Sequence, residues 1–435
     1  MQTGYKEIEM QKEREKMAKE INVGIGFATG RKSFKNVLKT YMYNLKESEL
    51  TESDRIKLHL FVAYDLHYEN AEPEDFVYIE TECMEDIDQA YFIGEKETRK
   101  ATEELVSQMG MSRKEAGLLF GEGYASKRNV IVYEALKRGI DYLIFLDDDE
   151  YPVAVTKSRK TAVWGGQEVL RKHLEHIRHA DITNGYHCGY ISPIPFISFN
   201  EVLQEKDFRT LIEALSNDIV NWDTIKSVMK NGGVTYADTG VLVKDEAEEV
   251  PEINRAKFIS GSNLTLNLTD PDRVQPFYNP PNARGEDTFL GTCLTDRTVL
   301  RVPAYTFHDG FGAYQHLLLG VLPTNLSYIK ADTKQVVERF YKACVGWIRY
   351  KPLYVYITDR ENYDEKMAEV RARLKETLPK VCRYFGRDDF MNVLEEFEQY
   401  HRNVRQHYRD FQDTKAAWKK ITTQLVSREK RKTAI

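Results

Sequence analysis

The sequence predicts an α/β protein, a mostly parallel mixed sheet followed by an all-helical C-terminal region. Two observations carry this. Short apolar, β-rich runs alternate with amphipathic helical stretches from Ile21 to about residue 325. Beyond that point strand-like runs stop, and apolar residues recur only at helical spacing. The expected organisation is a charged N-terminal extension over 1–20, an α/β domain over 21–325 and a helical domain over 326–435.

The elements follow in order. INVGIGFA from Ile21 is a short strand, and KSFKNVLKTYMYNL is a helix with Phe34, Val37, Leu38 and Tyr41 on one stripe. KLHLFVAYD (57–65) is a second strand. ASKRNVIVYEALKRG (125–139) is a helix stopped by glycine. DYLIFLDDD (141–149) is a buried strand running out into carboxylates, and ADITNGYHCGYI (180–191) holds another strand. In the C-terminal region Val337, Phe340, Cys344, Trp347 and Ile348 form one helical stripe. Met367, Val370, Leu374, Leu378 and Val381 form the next, and two more run through Phe390–Val404 and Phe411–Leu425. Such stripes must pack on one another, on the sheet domain or on a second subunit, so a homo-oligomer through these helices is one expectation.

Composition excludes several classes. Lys and Arg number 62 against 68 Asp and Glu, a net charge of −6 in 435 residues. A mildly acidic chain lacks the basic surface of a nucleic-acid binder. Hydrophobic residues make up 42 %, enough for a core. No apolar run approaches the ~20 residues of a membrane span. The N-terminal segment MQTGYKEIEMQKEREKMAKE has no apolar region of a secretory signal. Five scattered cysteines without a C-x-x-C pair fit a reducing compartment, so the expected location is the cytoplasm.

Three segments could carry chemistry. In LIFLDDDEYP a strand ends in Asp147, Asp148 and Asp149. Alternate strand residues share a face, so Asp147 and Asp149 are expected to converge. Converging carboxylates call for a cation, and oxygen ligands favour Mg²⁺ or Mn²⁺. On this view, removing Asp149 relieves repulsion and leaves the metal-free protein as stable or slightly more so. In NARGEDTFLGTCL (282–294), Glu286 and Asp287 open a helix. In TFHDGFGAYQH (306–316), His308 lies just past the strand-like LRVPAYTF, where an imidazole could join a metal site. Each has a plainer reading: a solvated acidic turn, a helix-dipole complement, a packed histidine.

Taken together, GYASKRNVIVYEALKRGIDYLIFLDDDEYP, then SGSNLTLNL (260–268), GED (285–287) and His308 resemble, in order, the motifs of glycosyltransferase family 2 and its GT-A-fold relatives. The resemblance covers residues 21–315 and implies a GT-A catalytic domain that uses a nucleoside-diphosphate sugar. It implies that Ala28, Thr29 and Arg31 of the first-strand loop and Asp65 lie near the nucleoside, and Arg128 near the donor phosphates. Asp147 and Asp148 would be among the donor-binding residues, and Asp147, Asp149 and His308 would hold Mn²⁺ or Mg²⁺. Asp287, with Glu286 beside it, would be the base that deprotonates the acceptor hydroxyl. The implied reaction moves a sugar from a UDP- or GDP-sugar to a glycan, lipid-linked or small-molecule hydroxyl with inversion. The first loop reads FATGRK where relatives often carry Pro and Asn. Three alternatives stand beside this reading: a retaining GT-A enzyme, a haloacid-dehalogenase-like phosphatase, and a non-catalytic carbohydrate-binding protein.

Two further patterns read as decoys. Gly24-x-Gly26-x-x-x-Gly30 misplaces the third glycine of a dinucleotide fingerprint. His173, His176 and His179 are read as an exposed helical run, because the third is rotated well away from the first.

Overall fold

The structure is a computed structural model that describes residues 20–50, 55–216, 222–312 and 322–433, with side chains to residue 427. The expected extension over 1–20 lies outside the described residues save Glu20, as do residues 313–316 of the histidine segment.

A central sheet runs β3-β2-β1-β4-β12-β8-β13-β5. Its main strands are β1 (Ile21–Thr29), β2 (Ile56–Tyr64), β3 (Gln89–Ile93), β4 (Tyr142–Phe145) and β5 (Glu150–Tyr151). A separate hairpin follows as β6 (Val153–Ser158) and β7 (Thr161–Gly166), then β8 (Ile182–Gly189) rejoins the sheet. Two-residue strands β9 (Glu248–Glu249), β10 (Glu252–Ile253) and β11 (Ala256–Lys257) precede β12 (Leu264–Asn267) and β13 (Val299–His308). The pairs β1/β2, β1/β4, β2/β3 and β8/β13 are parallel. β12 runs antiparallel to both β4 and β8, so β1, β4, β8 and β13 all point their carboxyl ends the same way.

Helices cover the sheet. Helix α1 (Phe34–Glu47) buries Phe34, Val37, Leu38 and Tyr41 as its stripe requires. Next come α2 (Glu95–Met109), α3 (Arg113–Phe120), α4 (Tyr124–Lys137) and α5 (Val169–Ile177). β1 is buried from Val23 to Thr29, the pattern of a parallel strand covered on both faces. A side chain at Gly24 would meet Leu143 and one at Gly26 would meet Phe145, so these glycines serve core packing.

The C-terminal region is helical, as expected: α9 (Lys334–Thr358), α10 (Tyr363–Phe385) and α11 (Asn392–Thr433). They do not stand apart. α6 (Glu205–Leu215) and α7 (Trp222–Lys230), which precede residue 326, place Phe208, Leu211 and Trp222 in one core with Phe340, Leu374, Leu378 and Phe397. At its far end α11 sends Ala417, Trp418 and Ile421 into the core that holds Leu119, Phe145 and Leu290. The Trp418 indole N–H donates to the Val274 carbonyl at 3.0 Å. No helix among the described residues is long and apolar enough to cross a membrane.

Candidate functional site

The site is built at the carboxyl edge of the sheet, where ligands of such sheets bind. β4 stops at Phe145, the last residue paired with both β1 and β12. The following acidic residues therefore lie in a turn rather than alternating along a strand. The turn carries the chain from the middle of the sheet to its far side, where Glu150 pairs with His308 of β13. This corrects the expectation that strand alternation aligns Asp147 with Asp149.

Arg31 and His308 meet this turn. Arg31 Nη1 donates to Asp148 Oδ1 at 2.6 Å and to Asp149 Oδ2 at 2.5 Å. The Thr29 hydroxyl, at the end of β1, donates to Asp148 Oδ2 at 2.5 Å. His308 Nε2 lies 3.1 Å from Asp149 Oδ1. Burial alone would raise the Asp149 carboxyl, but His308 and Arg31 outweigh it and hold it far below the carboxylate range. Burial likewise opposes the charge of His308, yet Asp149 lifts its imidazole to about 9. At Asp147 the opposing pull of Arg128 is outweighed, and burial together with Asp149, Asp148 and Glu150 pushes it up to about 8.

Sequence reasoning missed Glu150. It is buried, accepts from Ser262 Oγ and Thr306 Oγ1 at 2.7 Å each, and lies 3.3 Å from His187 Nδ1. His187 outweighs burial and brings the Glu150 carboxyl down to about 2. Glu150 thus ties the acidic turn to β8 and β13. The only signal in the sequence was its place directly after Asp149.

A second group lies beside Asp147. Arg128, on α4, sits over the rings of Phe145 at 4.9 Å and Phe277 at 5.5 Å, with its Nε 3.6 Å from Glu286 Oε1. Its Nε and Nη1 are buried without a hydrogen-bond partner among the described residues. The neighbouring Asn129 exchanges hydrogen bonds with the Phe277 backbone at 2.8 and 2.9 Å, fixing the chain that leads to Glu286. Gly285 opens the short helix α8 (Glu286–Gly291) at φ +95°, where a side chain would also press on the Tyr350 ring. Asp287 accepts from Gly261 N at 3.1 Å and Thr288 N at 2.8 Å.

The third group is Asp65, just beyond β2. It accepts from Lys127 Nζ at 3.0 Å and from His67 N at 2.9 Å, and these outweigh burial to hold its carboxyl low. Ala28 belongs to the core with Phe61 and Ile131, so only its backbone could face a ligand.

The structure thus brings Thr29, Arg31, Asp148, Asp149 and His308 into one network, with Asp147, Arg128, Glu286 and Asp287 adjoining it. Among the described residues no three His, Cys, Asp or Glu side chains gather as a preformed metal site. The Asp149 carboxylate and the His308 imidazole are the side chains here that could hold a divalent ion. His308 Nδ1 is buried without a hydrogen-bond partner among the described residues, and Nε2 is the nitrogen aimed at Asp149. The exposed run expected at His173, His176 and His179 is corrected at His173. It is fully buried, 2.7 Å from Thr183 Oγ1 and 2.8 Å from Asn263 Oδ1, and locks α5 to the sheet.

No protein-family model matches the chain, and no curated protein matches it.

Proposed function

We propose that the chain is a GT-A glycosyltransferase that moves a sugar from a UDP- or GDP-sugar to an acceptor hydroxyl with inversion. The supporting observation is the acidic turn Asp147–Asp149 crossing the sheet's carboxyl edge to His308, with Arg128, Glu286 and Asp287 packed against its start. The strand order, with antiparallel β12 inserted between parallel β4 and β8, is compatible with that fold.

In this reading Asp149 and His308 hold the metal, with Asp147 beside them. A bound Mn²⁺ or Mg²⁺ would supply Lewis-acid stabilisation of charge on the leaving diphosphate. The chain's own residues do the rest. Asp65 and Lys127 line the approach of the nucleoside at the end of β2. Arg128 offers phosphate oxygens buried N–H groups that make no hydrogen bond among the described residues. Asp287, oriented by Gly261 N, accepts the proton of the acceptor hydroxyl as it attacks the anomeric carbon.

A screen of UDP- and GDP-sugars for slow donor hydrolysis, with Mn²⁺ or Mg²⁺, tests the reading without knowledge of the acceptor. Metal-dependent release of one nucleoside diphosphate is expected. Phosphate release from generic phosphoesters instead would point to a phosphatase, and glycan binding without nucleotide or metal to a binding protein.

A further inference from the structure

Helix α9 divides its faces between two tasks. Phe340, Cys344 and Ile348 enter the helical core. Arg339, Gly346 and Tyr350, at i, i+7 and i+11, lie on another stripe that meets the site, with Tyr350 also part of the helical core. The Tyr350 ring covers Gly285, the stem of Arg284 rests against Gly346, and a side chain at Gly310 would collide with the Arg339 guanidinium. Arg339 Cζ stands 4.4 Å over the Phe311 ring.

Arg339 is partly buried and reaches no carboxylate at ion-pair distance among the described residues. Asp149 is within electrostatic reach and attracts it, but Arg31 and Arg284 repel it. Burial is the larger effect, and the guanidinium is held below its ordinary value. Asp149 is itself engaged by Arg31 and His308. Among the described residues neither Arg339 nor Arg284 forms an ion pair. Arg284 is exposed, its stem lies against the same face of α9, and its charge is felt at Arg339; an anion bound by both would relieve that repulsion.

We propose that Arg339 and Arg284 form a clamp for phosphate oxygens, assembled from the C-terminal helical region and the loop that precedes Glu286. On the glycosyltransferase reading, on which this identification rests, those oxygens belong to the donor diphosphate. The helical region then contributes to the site instead of only supporting it. Arginine suits the task because its planar N–H groups bind phosphate oxygens two at a time.

The test is calorimetric titration of the full chain with pyrophosphate, UDP, GDP and the nucleosides uridine and guanosine. It uses wild type, Arg339→Gln, Arg284→Gln and Arg339→Lys. Each glutamine variant should weaken pyrophosphate and nucleoside diphosphate about tenfold or more, leave nucleoside affinity alone and flatten the salt dependence. Arg339→Lys should recover part of the loss. Thermal unfolding of Arg339→Gln should match wild type, since no ion pair is broken. If that variant is destabilised, exposed Arg284→Gln carries the test. Arginine-dependent pyrophosphate binding without any nucleotide binding would uphold the clamp and reject the donor reading. Unchanged pyrophosphate and nucleoside diphosphate affinity in both glutamine variants would overturn the clamp.

Discussion

His308 Nε2 and Asp149 Oδ1 face each other at 3.1 Å, joining the end of β13 to the acidic turn that leaves β4. Arg31 engages the other oxygen of the same carboxylate at 2.5 Å. Asp149 is therefore neutralised from two sides in the absence of metal, which changes what its removal should do.

Asp149→Asn should be destabilising. The amide leaves a buried imidazolium and a partly buried guanidinium short of one charge, a loss of about 3–5 kcal/mol for a broken buried pair. The sequence alone suggested unchanged or higher stability from relieved carboxylate repulsion; the pairing with Arg31 and His308 reverses that expectation. Denaturant unfolding with a chelator present measures it. A variant as stable as wild type would show that the pairs contribute little.

The titration of Asp147 gives a pH signature. Its carboxyl is raised to about 8, so the folded protein holds a proton that the unfolded chain releases above about pH 4. That contribution to stability is present at low pH and is lost as pH rises toward 8. Asp147→Asn keeps a neutral group throughout. Its stability relative to wild type should therefore grow between pH 5 and 8, to a gain on the order of a few kcal/mol. Melting curves of both proteins in chelator decide this; a difference that stays constant or shrinks over that range would be the contrary result.

His308 titrates with the opposite partner. Its imidazole, lifted to about 9 by Asp149, contributes stability that is complete below about pH 6.5 and lost as pH rises through 9. His308→Ala should remove that loss. It should also weaken metal-dependent nucleotide binding by roughly 10–100-fold, as is typical when support of a metal site is lost. Full nucleotide affinity at limiting Mn²⁺ would reduce His308 to a structural partner of Asp149.

Trp418 tests the docking of the helical region. It is buried against the sheet domain, and Trp418→Ala should cost about 3–5 kcal/mol. Removing residues 334–435 should expose the core built from α6, α7 and α9–α11, and the product should aggregate. A truncated chain that stays monomeric and melts with wild type would contradict this.

Asp287→Asn tests the proposed base. The amide keeps an oxygen for one of the two backbone donors, Gly261 N and Thr288 N, but cannot take a proton, so kcat should fall by about 10²–10⁴-fold while donor affinity stays. Wild-type turnover in this variant, or a product that retains the anomeric configuration, would return Asp287 to a helix-start role.

Much of the framework was legible because periodicity is local. The stripes of α1 and α9–α11 and the apolar runs of β1, β2, β8 and β13 follow from side-chain spacing alone. The ends of elements were less so. Nothing within DYLIFLDDD says that pairing stops at Phe145, because that is set by where β1 and β12 end their ladders. The burial of His173 depends on Thr183 and Asn263, distant in sequence. Glu150 and Arg339 were missed for the same reason. A glutamate after three aspartates and an arginine on a charged helix carry no mark of their position until the fold brings His187 to one and Gly310 and Phe311 to the other.

The most direct test of the central claim is calorimetric titration of the intact chain with UDP and with GDP, each with and without Mn²⁺. The account predicts that one of the two binds, that Mn²⁺ tightens it at least tenfold, and that Asp149→Asn abolishes the tightening. No binding of either nucleotide in the presence or absence of Mn²⁺, by wild-type protein with normal unfolding behaviour, would contradict it.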